Sequence, residues 1–470
     1  MILLYGEGVS MKVIELLQKS AKDKLVRTAA DLLSTNPEKN VDRLFALIEK
    51  SIAKDEDNLK RLQVIKNEYY NNPSTYEFVQ NLFKTTDKNC IEKFFRNFFA
   101  NAVWYGMPKR EKLFKEEDIK TPFVILISPS MRCNLRCTGC YAANYSREDD
   151  IPYEEVDRII EEAKEIGIYY FIVLGGEPFF NEYMLDIYEK HNECIFMPFT
   201  NGTLFNEELA DKMQKLGNII PMFSVEGFEK ETDARRGKGV FKKVMHGMDL
   251  LRERGVLFGA STATGRNNID TVVSDEFINM LIEKGAKMSW YFIFMPVGEN
   301  PDFNLMLTPE QRIYLGKKAR EIRSSKPYFV IDFFNDAPYV GGCIAGKYYC
   351  HINSHEDIEP CIFAHFATDN LKDKKLIDVF KSSFFKELRA RQPYNNNLLK
   401  PCMMIDNPEV IREVVSKTDA KPTDKGAEMM IHDEVFKNKL DKLAKDFHPS
   451  AKKAWKEDFH EKGNYKMSKG

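Results

Sequence analysis

Residues 123–141 read FVILISPSMRCNLRCTGCY, so a short and continuously apolar run passes directly into a loop with three cysteines. Continuous hydrophobicity over so few residues is typical of a parallel strand that is covered on both faces. Five similar runs follow, and the helical patterns between them supply the crossovers that parallel strands require. The sequence therefore predicts an α/β fold with six βα units, whose strands lie in Phe123–Ser128, Tyr169–Leu174, Cys194–Phe199, Ile219–Ser224, Val256–Ser261 and Met288–Phe294.

The loop after each run is rich in glycine, cysteine or polar residues, and Gly175-Gly176-Glu177 follows the second run. Parallel topology brings all these loops to the C-terminal rim of the sheet, where barrel enzymes carry their catalytic groups. Six units instead of eight predict an open, partial (β/α)6 barrel of the TIM type. Such a barrel has a wide lateral mouth that could admit a bulky substrate.

The spacing of the three cysteines, C-x3-C-x2-C at Cys133, Cys137 and Cys140, is the most specific signal in the chain. When matches to such a template are counted, the pattern arises by chance with odds of roughly 0.003. Structural zinc prefers four ligands, commonly in two C-x2-C pairs, and this loop holds one such pair. Iron–sulfur clusters are held by thiolates, and three thiolates leave one iron of a four-iron cluster without a protein ligand. The loop therefore indicates an iron–sulfur site with an open, catalytic position.

These motifs resemble those of the radical S-adenosylmethionine (radical SAM) superfamily, in which the cysteine loop follows the first barrel strand and Gly-Gly-Glu follows the second. The resemblance covers about residues 120–325. It implies that Cys133, Cys137 and Cys140 ligate a 4Fe-4S cluster whose fourth iron is chelated by S-adenosylmethionine. It also implies that the backbone of Gly175–Glu177 contacts the amino group of that cofactor, since glycine permits close approach.

The resemblance assigns further roles at the end of the fourth strand. Ser224 and Glu226 would face the ribose of S-adenosylmethionine, and Arg236 would meet its carboxylate. Two other interpretations stay open, because Glu226 could be the partner of a strand-end salt bridge and Arg235-Arg236 could be a solvated surface pair.

The cysteine loop departs from the family pattern at one position. Family members commonly have an aromatic residue just before the third cysteine, where this chain has Gly139. We therefore interpret Tyr141, which follows the third cysteine, as the side chain that packs beside the adenine of S-adenosylmethionine instead.

Four more cysteines lie beyond the predicted barrel, at Cys343, Cys350, Cys361 and Cys402. This region resembles the SPASM/twitch extension that follows many radical SAM domains, in which a β-hairpin and a helix hold an auxiliary iron–sulfur cluster. The resemblance predicts a hairpin with arms Tyr349–Asn353 and Ile358–Phe363 and the turn Ser354–Asp357.

Cys343, Cys361 and Cys402 are the predicted ligands of the auxiliary cluster. Cys350 is either the fourth ligand or a buried bystander, since cysteine spacing does not fix connectivity. Glu356 replaces the usual turn glycine, and the chain lacks the closely spaced cysteines of full SPASM domains, so a shorter twitch-like form fits better. The alternative is a structural zinc site, which would draw on His351, His355 and His365.

Residues 1–119 are predicted to be helical throughout. Apolar residues recur at three-and-four spacing in Val13–Leu33, Val41–Ile52 and Ile91–Trp104, and no strand signal interrupts them. The segment Phe94–Ala100 is unusually aromatic, which fits a buried helix face better than contact with lipid or substrate.

The C-terminal tail is also predicted to be helical. One helix begins at Val410–Val415, and Trp455 and Phe459 lie on one face of a terminal helix that we expect to be solvated. Together these patterns predict four units: a helical N-terminal domain in 1–119, the barrel in 120–327, the auxiliary-cluster domain in 328–405 and a helical tail in 406–470.

Composition indicates a near-neutral protein of the cell interior. Lys+Arg 69 and Asp+Glu 71 give a formal net charge of −2, so no strong field draws the chain to nucleic acid or to anionic membranes. The apolar start reaches Glu7 too soon for a signal peptide, and no apolar run approaches the ~18 residues of a transmembrane segment. Nine cysteines are too few for a disulfide scaffold, so we expect a cytoplasmic protein whose clustered thiols hold metal.

The resemblance implies an enzyme that receives an electron from a reductant such as flavodoxin or ferredoxin. The family uses that electron to cleave S-adenosylmethionine to a 5′-deoxyadenosyl radical, which abstracts hydrogen from an unactivated C–H bond. An auxiliary cluster favours oxidation or bond formation over isomerisation. Relatives with this extension often modify peptides, whereas the helical and aromatic N-terminal region makes a lipid or other apolar metabolite a competing substrate. The alternative from another class is a non-catalytic iron–sulfur or zinc-binding scaffold, against which the presence of both motifs counts.

Overall fold

A nine-stranded sheet forms the centre of the protein, which the computed structural model describes at Thr28 and over residues 37–51, 56–142, 150–297 and 301–461. Among the first eight strands in chain order, all neighbours in the sheet run parallel to each other, and the ninth strand runs antiparallel to the eighth. The strands are β1 Val124–Ile127, β2 Tyr170–Val173, β3 Ile195–Thr200, β4 Met222–Ser224, β5 Gly259–Thr264, β6 Met288–Ile293, β7 Phe329–Asp332, β8 Tyr349–Ile352 and β9 Ile358–Glu359.

The predicted α/β fold with six βα units is confirmed, since each of β1 to β6 overlaps one of the six apolar runs and the strands pair in chain order. The prediction was displaced for β5, which covers Gly259–Thr264 and so begins three residues later than the run Val256–Ser261 and ends three residues beyond it. Across the sheet the order is β7-β6-β5-β4-β3-β2-β1-β8-β9, and among the described residues no pairing joins β7 to β9. The barrel is therefore open. Its outer layer consists of the helices Tyr153–Glu165, Tyr183–Lys190, Glu207–Leu216, Glu229–Arg236, Val240–Glu253, Ile269–Val272, Asp275–Glu283 and Pro309–Ser325.

Helix Tyr153–Glu165 illustrates how these helices cover the sheet. Its buried side chains are Val156, Ile159, Ile160 and Ala163, which recur at three-and-four spacing on one face. Burial of each larger apolar side chain stabilises the fold by about 1.5–3 kcal/mol. The opposite face is polar, so the sequence pattern alone fixes which side of the helix meets the sheet.

Two strands beyond the predicted six extend the parallel sheet at either side. β7 pairs with β6, and β8 pairs with β1 so that Ile125 lies opposite Cys350. The predicted hairpin is present as β8 and β9, with His351 opposite Glu359. Its first arm is thus part of the central sheet, which the sequence did not indicate because strand pairing over more than 200 residues leaves no local pattern. The assignment of 328–405 as a unit of its own stays a prediction.

The described part of the N-terminal region is helical, as predicted, and Val13–Leu33 lies outside the described residues except for Thr28. In the aromatic segment, Phe98 contacts Phe123 and Tyr170 of the barrel edge-on at 5.9 Å, although Phe99 is 44% exposed. Within the segment only Asn97 and Ala100 are buried, while Phe94, Phe95 and Phe98 are half-buried, so it joins the helices to the barrel as a partly buried aromatic face rather than a fully buried one. The helices are Pro37–Ser51, Glu56–Asn71, Pro73–Thr85, Lys88–Phe94, the π-helix Phe95–Tyr105, and Gly106–Glu117.

The expectation of a solvated terminal helix is wrong. Phe447 and Phe459 are buried, and the guanidinium of Arg312 lies 4.1 Å from the centre of the Phe447 ring. The apolar face of the tail packs against helix Pro309–Ser325, because its apolar residues recur at helical spacing. The C-terminal elements are the helices Ala337–Val340, Leu376–Val379, Ser383–Ala390, Pro408–Lys417, Lys425–His432 and Glu434–Ala454, the π-helix Trp455–Glu461, and the paired strands β10 Phe366–Ala367 and β11 Lys421–Pro422.

None of the helices in the described ranges combines the length and the apolar character that crossing a lipid bilayer would demand.

Candidate functional site

The three cysteines of the C-x3-C-x2-C loop line one cavity of about 220 Å³ at the C-terminal rim of the sheet. The loop after β2 holds the cysteine loop in place from one side. The Gly176 N–H donates to the Ser130 carbonyl at 3.0 Å, and the Glu177 N–H donates to the Arg132 carbonyl at 2.9 Å. Gly175 and Gly176 line the same cavity. The structure thus brings the two sequence motifs to one site, as parallel topology predicts.

Glycine is needed in this contact because the two loops approach closely. Gly175 has φ +101°, and a Cβ there would lie 2.2 Å from the Ser130 carbonyl oxygen. A Cβ at Gly176 would lie 2.1 Å from the Arg132 carbonyl oxygen. A side chain at either position would therefore push the cysteine loop out of place.

We expect Gly175→Ala to lower the free energy of unfolding by about 3 kcal/mol, because the substitution adds a backbone collision to an unfavourable positive φ. The matched control is Gly239→Ala, since Gly239 has φ +83° but a Cβ there would have nothing within 4 Å. The control should lose only about 1 kcal/mol, which is the cost of the positive φ alone. Thermal and urea unfolding measure both, and equal losses in the two variants would contradict the collision.

The Glu177 carboxylate joins the loops that follow β2 and β3. It accepts hydrogen bonds from the Thr200 hydroxyl and the Asn201 N–H, both at 2.7 Å, and from the Phe179 N–H at 3.2 Å. Burial raises the pKa of Glu177 to about 7. Glu177 is 1% exposed and is not among the residues that line the cavity, so contact of its backbone with S-adenosylmethionine stays a prediction.

The sulfur atoms of the loop lie among donors that favour the thiolate. The Leu135 N–H donates to Cys133 Sγ at 3.4 Å, and Arg236 Nη1 lies 4.0 Å from Cys137 Sγ. Burial raises the pKa values of the Cys133 and Cys137 thiols, and the Arg236 charge opposes that rise at Cys137. Three thiols that line one cavity, two of which have such donors, fit a cluster that is bound through three thiolates.

Glu226 is a strand-end salt-bridge partner. Its Oε1 accepts from Arg235 Nη1 and from Arg236 Nε and Nη2, the last two at 2.9 and 2.6 Å, while Oε2 accepts from the Ala263 N–H at 3.0 Å. The arginine charges lower the pKa of this buried carboxyl. The two guanidinium groups are mostly buried, so the solvated-pair interpretation is wrong. Ser224 and Arg236 line the cavity, and contact of Ser224, Glu226 and Arg236 with S-adenosylmethionine stays a prediction.

The structure explains the departure at Gly139. This residue has φ +64°, and a Cβ there would lie 2.5 Å from Cε2 of Phe294. The ring of Phe294, which follows β6, thus occupies the space beside the third cysteine. Tyr141 also lines the cavity and meets Phe363 edge-on at 6.0 Å. Phe294 was missed in the sequence because it lies more than 150 residues away along the chain.

Cys343, Cys361 and Cys402 line a second cavity of about 150 Å³. The Tyr349 hydroxyl donates to Cys361 Sγ at 2.8 Å, and the Met404 N–H donates to Cys402 Sγ at 3.3 Å. Burial raises the pKa values of the three thiols, to about 12 for Cys343 and about 11 for Cys361. The structure therefore assembles the three predicted auxiliary ligands, with donors on their sulfur atoms.

Cys350 is not brought to this cavity. It follows Tyr349 on β8, and successive side chains of a strand point to opposite faces, so Tyr349 lines the cavity while Cys350 packs into the core. The side chain is fully buried, and burial alone raises the pKa of its thiol. This placement favours the bystander interpretation over a fourth ligand.

The histidines of the zinc alternative lie apart from the three cysteines. His351 Nδ1 and His365 Nδ1 contact Oε2 of the buried Glu359 at 2.7 and 3.1 Å, and His351 Nε2 lies 2.7 Å from Ser128 Oγ. His355 belongs to the hairpin turn. Among the described residues that line the second cavity there is no histidine, so a mixed cysteine–histidine zinc site is not assembled there.

We expect Glu359→Gln to destabilise the protein by about 3 kcal/mol at pH 6, because it removes the partner of a buried charge. Glu359 raises the pKa of His365, so this stabilisation is present below the ordinary histidine pKa of about 6.5 and is lost as pH rises through the higher folded value. The two histidines lower the pKa of Glu359, which loses its contribution only as pH falls below its ordinary range. Urea unfolding from pH 6 to 9 should show the difference shrinking; a pH-independent difference would contradict the charged pair.

Comparison with known proteins gives a family and several relatives. Residues 127–281 match the Radical SAM superfamily. The chain is 24% identical over 309 residues to the AdoMet-dependent heme synthase of Nitratidesulfovibrio vulgaris, and the aligned region covers 57% of this chain and 82% of that protein. It is 27% identical over 178 residues to the Fe-coproporphyrin III synthase of Methanosarcina barkeri, and this aligned region covers 36% of this chain and 44% of that protein.

Solved structures share the fold. The crystal structure of Streptococcus suis SuiB bound to precursor peptide SuiA has a TM-score of 0.52 and 18% sequence identity, and it covers 70% of this chain and 87% of that chain. The structure of SuiB bound to S-adenosylmethionine gives the same values. The similarity concerns the arrangement of helices and strands.

Proposed function

We propose that this enzyme, whose residues 127–281 belong to the radical SAM superfamily, binds S-adenosylmethionine and abstracts a hydrogen atom from an unactivated C–H bond of its substrate. The observation that carries this proposal is the convergence of Cys133, Cys137, Cys140 and the Gly175–Glu177 loop on one cavity. When bound there, a 4Fe-4S cluster and S-adenosylmethionine supply an electron and a 5′-deoxyadenosyl radical. That radical chemistry belongs to the cofactors, and the protein positions them.

The residues around the cavity would perform that positioning. Gly175 and Gly176 offer bare backbone for close approach, while Ser224 and Arg236 place a hydroxyl and a cation on the same wall. Glu226 holds Arg236 in one orientation through hydrogen bonds to its Nε and Nη2. The apolar remainder of the lining excludes water from a radical.

We further propose an auxiliary iron–sulfur cluster at Cys343, Cys361 and Cys402. Its support is the shared cavity and the donors on the sulfur atoms, which stabilise thiolates. A second cluster would take up the electron left on the substrate, so a net oxidation or a new bond is the expected outcome. A cytoplasmic location and a flavodoxin or ferredoxin as reductant complete the proposal, because thiolate clusters need a reducing compartment.

The names of the similar proteins point to tetrapyrroles and peptides as substrates, and a shared fold carries neither class to this chain by itself. We propose two classes of substrate, a peptide and an apolar metabolite, the second because of the aromatic N-terminal region.

The test of the proposed function is production of 5′-deoxyadenosine. The full chain is purified without oxygen, reduced with dithionite and given S-adenosylmethionine. We expect 5′-deoxyadenosine above the background of a sample without protein. A product at background, from protein that contains iron, would favour the non-catalytic scaffold.

A further inference from the structure

The interior of the barrel carries a continuous wall of aromatic side chains. Trp290 and Phe292 of β6 stack with their planes 10° apart and their centres 5.7 Å apart. Phe199 of β3 meets both rings edge-on, and Phe333, which follows β7, lies 5.2 Å from Phe292. Phe333 also contacts Tyr349 of β8 at 5.9 Å. Four elements of the sheet thus contribute to one apolar surface.

This surface faces the cavity that the three cysteines line. Phe199, Trp290, Phe292 and Phe333 are all half-buried although they lie inside the barrel, and all four line the 220 Å³ cavity. Aromatic rings that served only as core would be covered completely. Aliphatic side chains complete the lining on the β1 and β2 side, namely Val124, Leu126, Ile172 and Leu174.

Charge is confined to the cofactor end of the cavity. Of the described residues that line it, only Arg235 and Arg236 are charged, and both guanidinium groups are paired with Glu226. The cavity therefore offers no uncommitted cation to a substrate carboxylate or phosphate. Burial of an anion without a partner costs several kcal/mol, whereas each buried CH₂ group gains about 0.8 kcal/mol.

Polar groups that could hold a peptide backbone are also restricted. The polar uncharged side chains of the lining include Asn201, which follows β3, Ser224, which ends β4, and Ser261, which lies within β5. Asn201 is already bonded to Asn134 and lies 3.8 Å from Cys133 Sγ. The indole N–H of Trp290 has no hydrogen-bond partner among the described residues and could donate to one carbonyl. The strand backbones are paired within the sheet, so an extended peptide would leave most of its own amides without partners in the aromatic part.

We propose that the part of the substrate that enters the barrel is an uncharged hydrocarbon chain, a proposal that rests on the proposed function for its reaction but not for its binding. The aromatic wall contacts the chain, and the single charged end of the cavity is left to the cofactor. Of the two proposed classes, an apolar metabolite such as a neutral lipid fits this cavity, and an extended peptide does not. A carboxylate-rich tetrapyrrole does not fit either, because the described lining of the cavity has no uncommitted cation for its carboxylates.

The test compares two ligands with the same alkyl chain, of which one is a neutral ester with one additional methyl group and the other is an anion. The ligands are methyl laurate and laurate. Binding of each to the anaerobically prepared full-length protein is measured by isothermal titration calorimetry, at concentrations below those at which laurate forms micelles or methyl laurate separates from water. We expect the neutral ester to bind at least about fiftyfold more tightly than the anion. Burial of the additional methyl group accounts for only about fourfold, and the remainder reflects the desolvation that the anion alone requires. Equal affinities, tighter binding of laurate, or saturable binding of iron coproporphyrin III would overturn the proposal.

Two variants locate the binding site. Trp290→Ala should weaken binding of methyl laurate by about fivefold or more, because it removes the largest ring of the aromatic wall. The matched control is Phe114→Ala, which removes an aromatic ring that is 47% exposed on the outer surface, and it should leave the affinity unchanged. Equal losses in both variants would show adsorption to the surface and refute the cavity.

The outcome is independent of the proposed function. Formation of 5′-deoxyadenosine without preference for the ester would remove the substrate inference and leave the radical chemistry standing. Selective binding of the ester by a protein that yields no 5′-deoxyadenosine would remove the proposed radical chemistry and leave the inference about the bound ligand standing.

Discussion

Replacement of Cys133, Cys137 and Cys140 together with alanine is expected to abolish formation of 5′-deoxyadenosine, down to the level of a sample without protein. The three thiols are the only described cysteines that line the 220 Å³ cavity, so no other thiolate there could hold the cluster. Without the cluster we expect no electron to reach S-adenosylmethionine. The measurements are product by liquid chromatography and iron content after anaerobic reconstitution.

A single buried cysteine provides the control for this triple variant. Cys194 is fully buried beside β3 and lines neither cavity, and burial raises the pKa of its thiol well above the usual range. Cys194→Ala should therefore keep both iron content and 5′-deoxyadenosine formation. Turnover in the triple variant, or full iron content after its reconstitution, would refute the assignment of the loop.

Cys402→Ala is expected to remove the auxiliary cluster and to lower the iron content by about half, whereas Cys350→Ala should leave iron unchanged. Cys402 lines the second cavity with Cys343 and Cys361, and its sulfur accepts the Met404 N–H. Cys350 packs into the core on the opposite face of β8. The two variants thus compare Cys402, which lines the cavity, with Cys350, which is buried in the core although its neighbour Tyr349 lines the cavity.

Iron analysis and the visible spectrum of the reconstituted variants measure this difference. The cysteine loop of the barrel is intact in both variants, so slow formation of 5′-deoxyadenosine should persist even where the auxiliary cluster is lost. Loss of iron in Cys350→Ala, in a variant whose circular dichroism matches the parent, would instead make Cys350 the fourth ligand. Full iron in Cys402→Ala would refute the auxiliary site.

Local patterns were sufficient for the strands of the barrel and for both motifs. Each of β1 to β6 overlaps a short apolar run, and a run that is buried on both faces needs no information from elsewhere in the chain. The bounds of β5 were less well predicted, because its second half, Thr262–Thr264, is largely polar. The C-x3-C-x2-C loop and Gly175-Gly176-Glu177 were also placed correctly, because parallel strands bring the loops that follow them to one rim. The contact between these loops then follows from glycine at the two closest positions.

Pairing over long distances was not predictable in this way. β8 lies beside β1 although more than 200 residues separate them, and that register decides that Tyr349 faces the second cavity and Cys350 the core. The same holds for the terminal helix, whose apolar face was read correctly but whose partner, helix Pro309–Ser325, has no signature in the tail itself.

By itself, then, the order of residues determined the chemistry that the chain carries: three thiols in one loop, a glycine-rich loop after the next strand, and a sheet that places both at one end. The tertiary structure decided which side chains surround those groups. They include Phe294 against Gly139, two arginines paired with Glu226, and an aromatic wall without uncommitted charge. The reason is physical. Backbone propensity and hydrophobic period act over a few residues, whereas packing and charge pairing depend on which distant side chains the folded sheet brings within contact distance.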